Sequence, residues 1–444
     1  MDKSREIAVK VLTGVFKDKS YSNILLGSSL NKSNLEGKDK ALTTEIVYGT
    51  LKYKYTIDKI LSYFIKKDLR SIDIYILNIL RSSVYQIRYL DRIPEFAAVN
   101  EAVEMTKKEK GIGPSKFVNA VLRNYLRSKN INFIEKDKDD IDQICFDYSF
   151  EPWMVNLFLK QYGKENGISI MEGLNEVPGI SVRINPLKGS YHEIFSKLLD
   201  CGFNVEKGYI NKEAINIIKG GNIEQNELFR DGFITVQDES AMLVASSMEI
   251  QDNMTILDLC SAPGGKATHI CEILNNTGVV KAFDLHANKL KLIEKNAKRL
   301  GIKNLNCSEM DSRKYNDKYK EIANRVLIDV PCSGLGIIKK KPEIKWNKSL
   351  KDLKSLIKTQ RSIMINAAEY VKSNGYLIYS TCTLNSEENE ENIQWFLNNN
   401  KVYKIEPLYF GKYDNIIYSK EGWVTIMPNK YMDGFFICKL RKIG

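Results

Sequence analysis

Two cysteines are the residues best placed for chemistry. Each closes a short apolar run: Val326-Leu327-Ile328-Asp329-Val330-Pro331-Cys332-Ser333-Gly334, and Gly375-Tyr376-Leu377-Ile378-Tyr379-Ser380-Thr381-Cys382-Thr383. Both have the β-branched and aromatic content of buried parallel strands, bounded by turn residues. Between them, Leu350 to Val371 places Leu353, Leu356, Ile357, Ile363, Met364, Ala367 and Ala368 along one helical face. Strand, helix and strand form a crossover unit whose strands are parallel neighbours. The carboxyl ends of such strands share the crevice in which open α/β sheets bind ligands. The pattern predicts that Cys332 and Cys382 face one pocket, although fifty residues separate them. A lone cysteine at a strand end is ordinarily a small core residue; two at one mouth suggest covalent catalysis.

A second constellation lies upstream. Asp258-Leu259-Cys260-Ser261-Ala262-Pro263-Gly264-Gly265-Lys266 occupies a strand-to-helix turn. Its glycines allow close backbone approach, and the helix that follows offers unpaired N–H groups. Nineteen residues after Gly265 comes Asp284, at the end of the next strand, where a carboxylate can accept from both hydroxyls of a ribose. Asp311 ends the third strand, within reach of an adenine edge. The loop lacks both the three-glycine dinucleotide pattern and the Walker pattern. S-adenosylmethionine, with a ribose and an adenine but no pyrophosphate, fits it better.

A methyl donor beside two thiols suits carbon 5 of cytosine, which is too weak a nucleophile to take a methyl directly. Addition of a thiolate to C6 makes C5 enamine-like; after methylation, loss of the C5 proton and of the thiolate restores the ring. A free thiol of pKa ~8.5 is only a few per cent ionised at neutral pH, so the nucleophile needs a basic or dipolar setting. The second cysteine can assist release as acid or base.

These groups must be positioned by a chain of 444 residues, long enough for two or three domains. With 43% hydrophobic and 27% charged residues the composition is that of a globular protein. No apolar run reaches membrane-spanning length, and Met1-Asp2-Lys3-Ser4-Arg5-Glu6 does not open a signal peptide, so a cytoplasmic protein with no membrane partner is expected. The eight cysteines contain no CxxC pair, which argues against a zinc ribbon or a disulfide framework. Three histidines leave little for a His-rich site, and no metal is expected. The net charge of +11 suggests an acidic partner, most simply nucleic acid.

Residues 1–127 read as helices with short breaks at Arg92-Ile93-Pro94 and Gly111-Ile112-Gly113-Pro114, an all-α bundle. Residues 128–177 read as a helical linker, with Lys136-Asp137-Lys138-Asp139-Asp140 at its charged centre and a helix over Pro152–Tyr162. Residues 178–236 alternate short strands and a helix, a small α+β module of RNA-recognition type. Residues 237–444 alternate strand and helix, giving a doubly wound, Rossmann-like sheet with a last strand over Gly434–Leu440. Lys339-Lys340-Lys341 could contact phosphates or form a solvated loop, Arg313 and Lys345 could touch RNA, and Trp346 could stack on a base or simply pack. Glu387-Glu388-Asn389-Glu390-Glu391 reads as the charged first turn of a helix over Glu387–Asn398.

Ile93-Pro94-Glu95-Phe96-Ala97-Ala98-Val99-Asn100-Glu101-Ala102-Val103 and Lys116-Phe117-Val118-Asn119-Ala120-Val121-Leu122 resemble the helical RNA-binding domain of the NusB-type antitermination factors. The catalytic half resembles the RNA 5-methylcytosine methyltransferases, through Pro331-Cys332-Ser333-Gly334 and Ser380-Thr381-Cys382-Thr383. Val236-Gln237-Asp238-Glu239-Ser240-Ala241, Lys341-Pro342-Glu343-Ile344-Lys345-Trp346 and Asp433-Gly434-Phe435-Phe436 extend the likeness over nearly the whole chain. The resemblance implies Cys382 as nucleophile and Cys332 as the residue that helps release product. It implies a donor site made by Cys260, Ser261, Ala262, Pro263, Gly264, Gly265, Lys266, Asp284, Asp311 and Asp329. It implies 16S rRNA, or a small-subunit assembly intermediate, as substrate for a monomeric enzyme. Ser261 stands where many members carry Ala, and Ala323-Asn324 replaces an aromatic-Asp pair; neither removes a catalytic group. Methylation of another RNA such as tRNA, and a non-catalytic assembly factor with a relict pocket, are the alternatives. An amino-group methyltransferase would want Asn- or Asp-Pro-Pro-Tyr/Phe after strand four, where Asp329-Val330-Pro331-Cys332 stands.

Overall fold

The computed structural model describes residues 2–18, 20–128, 131–134 and 140–443. The charged residues 136–139 of the expected linker lie outside them. The chain forms two compact units, Met1–Asn175 with Ile338–Asn347, and Glu176–Ile337 with Lys348–Gly444.

The first unit is helical, as the 3.6-residue periodicity requires. Its helices are α1 (Lys3–Asp18), α2 (Ser22–Lys32), α3 (Gly37–Lys52), α4 (Lys54–Phe64), α5 (Ile74–Tyr89), α6 (Glu95–Lys110), α7 (Ile112–Arg127), α8 (Asp140–Tyr148) and α9 (Pro152–Asn175). The apolar stripe of α1 buries Ala8, Val11, Leu12 and Val15, and α5 buries Ile79, Leu80 and Val84. Asp73 caps α5 by accepting from the N–H groups of Tyr75 and Ile76. The helix expected to stop at Tyr162 resumes beyond a kink at Gly163 (φ +78°), where glycine takes the left-handed turn.

Ile338–Asn347 also belongs to this unit, although it follows the Cys332 run in sequence. Ser22 Oγ donates to Glu343 Oε2 (2.7 Å), and the Trp346 indole N–H donates to the Leu51 carbonyl (2.8 Å). Lys345 is fully buried; its ammonium donates to the carbonyls of Lys52 (3.2 Å) and Ser149 (3.0 Å) and to Asn175 Oδ1 (2.9 Å). Burial, with the charge of Lys52, pushes Lys345 well below the usual amine range. The RNA contact by Lys345 is therefore corrected, and Trp346, half-buried, takes the packing alternative within the helical unit. Lys339, of the expected phosphate-binding triplet, is buried too.

The second unit holds two sheets. The smaller contains β1 (Ile180–Ile184), β2 (Asn204–Lys207), β3 (Ala214–Lys219) and β4 (Ile234–Val236), all antiparallel in the order β2-β3-β1-β4. Helix α10 (Tyr191–Asp200) covers it through Ile194 and Leu198, both fully buried, and α11 (Glu227–Arg230) precedes β4. It is a ferredoxin-like module.

The larger sheet comprises β5 (Thr255–Asp258), β6 (Val279–Asp284), β7 (Leu305–Glu309), β8 (Ala323–Asp329), β9 (Val371–Thr381), β10 (Tyr403–Ile405), β11 (Ile416–Tyr418), β12 (Val424–Ile426) and β13 (Phe435–Lys442). Its order is β11-β12-β13-β9-β8-β5-β6-β7, with β10 beside β13. Strands β9, β8, β5, β6 and β7 are parallel, while β13 runs antiparallel to β9, so the sheet is mixed. Helices α12 (Glu239–Ser246), α13 (Gly265–Ile273), α14 (Ala287–Leu300), α16 (Leu350–Tyr370) and α17 (Glu390–Asn399) accompany it; the short α15 (Ile344–Asn347) lies in the helical unit. Val326, Leu327, Ile328, Leu377, Ile378 and Tyr379 are fully buried, because central parallel strands bury both faces. Asn324, at the departure from the family pattern, accepts from the Thr255 N–H (2.9 Å) and ties β8 to β5.

Candidate active site

The order of strands reverses between β5 and β8, so the loops after them open into one crevice. The turn after β5 is tightly fixed. Ser261 N–H donates to the Phe283 carbonyl (2.8 Å), and Gly264 N–H to the Ser261 carbonyl (2.7 Å). The Ala262–Pro263 peptide is cis. Gly264 has φ +100°, and a Cβ there would meet Ile293 at 2.9 Å. At Gly265, by contrast, a Cβ would meet nothing closer than Gln237 Nε2 at 3.9 Å, which leaves an open cradle at the start of α13. A nucleoside can approach the backbone there.

Acidic groups ring this cradle. Asp284 ends β6 and accepts from His286 N–H (3.0 Å). Asp311 follows β7, and its carboxylate is held by the Arg313 guanidinium (2.8 and 2.9 Å). Asp258 ends β5; burial, opposed by Ser261 and reinforced by the charge of Asp329, pushes its carboxyl up to about 7. Asp329 ends β8, where Oδ2 accepts from Lys266 Nζ (2.7 Å) and Oδ1 from Ser380 Oγ (2.8 Å). Burial disfavours the Lys266 charge, but Asp329 outweighs it and holds the ammonium above its ordinary value; Cys382 acts in the same direction. Lys266 also lies over the Phe435 ring, 5.2 Å from its centroid. Cys260 lines the turn, its thiol pushed well up by burial.

The two cysteine loops meet. The Sγ atoms of Cys332 and Cys382 lie 3.4 Å apart, and both side chains are partly accessible. The thiol of Cys332 is pushed well above its ordinary value, first by its hydrogen bond to Cys382, then by burial and by the charges of Cys382, Glu388 and Asp329. The backbones interlock as well: Gly336 N–H donates to the Cys382 carbonyl (3.0 Å), and Gly434 N–H to the Gly336 carbonyl (2.9 Å).

One sequence expectation is corrected beside this pair. Glu388 and Asn389 are fully buried, not part of an exposed first turn, and α17 begins at Glu390. Glu388 accepts from Ser333 N–H (2.9 Å) and Ser333 Oγ (2.5 Å), so both its oxygens reach the Cys332 loop. Sequence reasoning also missed Arg183 on β1. Its guanidinium grips Glu272 of α13 (2.8 and 2.9 Å) and donates to the Gly265 carbonyl (3.1 Å), holding the helix that carries the cradle.

Together, the fold and this crevice define a Rossmann-like methyltransferase with a paired-thiol site, joined to a NusB-like helical domain. Comparison with known proteins makes this specific. The description 16S rRNA methyltransferase RsmB/F matches residues 245–441, the NusB family residues 2–127, and the RsmF/B-like ferredoxin-like domain residues 150–224. The probable ribosomal RNA small subunit methyltransferase B of Bacillus subtilis is 35% identical over 99% of both chains. A protein of the same description from Synechocystis is 33% identical over the whole of both. A crystal structure described as PH0851 covers 99% of both chains with a TM-score of 0.85 at 25% identity. The chain belongs to the RsmB/F family of rRNA methyltransferases.

Proposed function

We propose that the protein transfers a methyl group from S-adenosylmethionine to carbon 5 of a cytosine in 16S rRNA, through a covalent cysteine–C6 adduct. The observation that carries this reading is the 3.4 Å approach of Cys332 and Cys382 beside the Lys266–Asp329 ion pair. Two partly accessible thiols at adjoining strand ends suit addition and release on one ring. The relatives' names support small-subunit rRNA as substrate.

The open cradle at Gly265 and the carboxylates of Asp284, Asp311 and Asp329 fit a nucleoside carrying a cationic amino acid arm. Residues Cys260 to Lys266 would pass along it, and Asp284 would take the ribose hydroxyls. When bound, S-adenosylmethionine supplies an electrophilic methyl group, which C5 takes up. The protein does the rest. The Cys382 thiolate bonds to C6, and the electron pair of the C5–C6 double bond moves toward C5. After methylation the C5 proton leaves, the C5–C6 double bond reforms and the Cys382–C6 bond breaks. Cys332 assists that release as acid or base. Asp329 can hold the base near N3 or the donor's amino end. A stacked cytosine hides C6, so the target is single-stranded or flipped out. The enzyme acts as a cytoplasmic monomer.

The test is incubation with methyl-labelled S-adenosylmethionine and small-subunit rRNA, followed by nucleoside analysis. Label in 5-methylcytidine is expected; label in another nucleoside, or in none, overturns the reading.

A further inference from the structure

Adjacent buried side chains hold the two cysteine loops. Four donors from three segments converge on the Glu388 carboxyl. Ser333 N–H and Gln360 Nε2 donate to Oε2 at 2.9 and 2.8 Å. Ser333 Oγ and Asn385 Nδ2 donate to Oε1 at 2.5 and 3.2 Å. Because Ser333 gives its proton to Glu388, the 2.7 Å contact between Ser333 Oγ and Thr383 Oγ1 is a donation by Thr383. Ser333 follows Cys332 and Thr383 follows Cys382, so this chain crosses from one cysteine loop to the other. The next residue, Asn389, grips the second loop: Thr381 Oγ1 donates to its Oδ1 (2.6 Å), and its Nδ2 donates to the Thr383 carbonyl (3.0 Å).

We propose that Glu388 is a positioning residue for the paired-thiol site, fixing the Cys332 loop against the Cys382 loop through Ser333 and Thr383. The proposal rests on the reading that these thiols do the chemistry. Its physical basis is that a buried carboxyl among neutral donors is a costly way to hold a turn. Here both oxygens of the carboxyl accept, and an amide has one such oxygen: a Gln in its place must turn its NH2 either toward Ser333 N–H and Gln360 Nε2 or toward Ser333 Oγ and Asn385 Nδ2, so the present donations cannot all be kept. The Glu388 charge also contributes, behind the Cys382 hydrogen bond and burial, to keeping Cys332 a thiol. Glu388 would thus help to separate the states of two sulfurs only 3.4 Å apart.

The test uses full-length Glu388→Gln and Ser333→Ala. Misplacing reacting groups by about 1 Å can cost about a hundredfold in rate. Both variants are expected to lose tenfold or more in kcat while KM for S-adenosylmethionine stays within about twofold. A second readout needs no RNA: iodoacetamide alkylation of Cys332 across pH, followed by peptide mass spectrometry. Glu388→Gln is expected to move the Cys332 midpoint to lower pH; Ser333→Ala, which loosens the loop but keeps the carboxylate, shows how much of that shift loosening alone produces. Wild-type kcat together with a wild-type alkylation profile in Glu388→Gln overturns the proposal. Should that variant fail to fold, Ser333→Ala with wild-type kcat overturns it equally. If the wild-type enzyme transfers no methyl, the functional reading fails, and the alkylation profile still decides whether Glu388 controls the Cys332 loop.

Discussion

Cys332 Sγ and Cys382 Sγ approach to 3.4 Å although each belongs to a different strand-end loop. The approach is enforced from both sides of the loops. Below, parallel β8 and β9 pair Asp329 with Ser380. Above, Gly336 packs against the carbonyls of Cys382 and Gly434.

That packing gives the first prediction. A Cβ at Gly336 would lie 2.0 Å from the Gly434 carbonyl oxygen and 2.9 Å from that of Cys382. Backbone cannot give way as a flexible side chain can, so one loop must move. Gly336→Ala should lower stability by about 1–3 kcal/mol in urea unfolding and reduce kcat at least tenfold. A stable variant with normal kcat would show that the loop spacing is not critical.

The second concerns Arg183 and Glu272, whose side chains are 0% and 1% exposed. Removing one partner leaves an uncompensated buried charge, so Arg183→Met should cost about 3–5 kcal/mol. Replacing both, as Arg183→Met with Glu272→Met, should recover much of that loss. Additive losses in the double-mutant cycle would contradict a tight pair.

The third is a pH dependence. The Asp258 carboxyl is raised to about 7, chiefly by burial. Unfolded, it ionises near ~3.9. Between those values the folded state holds a proton that the unfolded state has released, so this group's contribution falls as pH rises toward 7 and is fully lost above it. Asp258→Asn removes the effect. Its stability advantage over wild type should grow from pH 5 to pH 8 in urea unfolding; parallel curves would rule out the raised carboxyl.

The sequence made the paired thiols legible because each closes an apolar run long enough to be a strand, with a helix of one apolar face between them. The tight turn after β5 was legible through Gly264 and Gly265, which mark a strand-to-helix turn with close backbone approach. Glu388 was not: charged neighbours resemble a solvated helix turn, and its donors come from as far as 55 residues away. The burial of Lys345 was not legible either, and Trp346 was left open between stacking and packing, since nothing local shows that Ile338–Asn347 packs with the helical unit. Strands β10, β11 and β12, of three residues each, are too short to show a period.

The most direct test of the central claim compares Cys382→Ala with Cys332→Ala, each incubated with labelled S-adenosylmethionine and small-subunit rRNA and run on a denaturing gel. The account predicts no methyl transfer by Cys382→Ala, and a protein–RNA adduct that survives denaturation with Cys332→Ala. Methylation of cytosine C5 by Cys382→Ala would contradict it and make Cys332 the nucleophile.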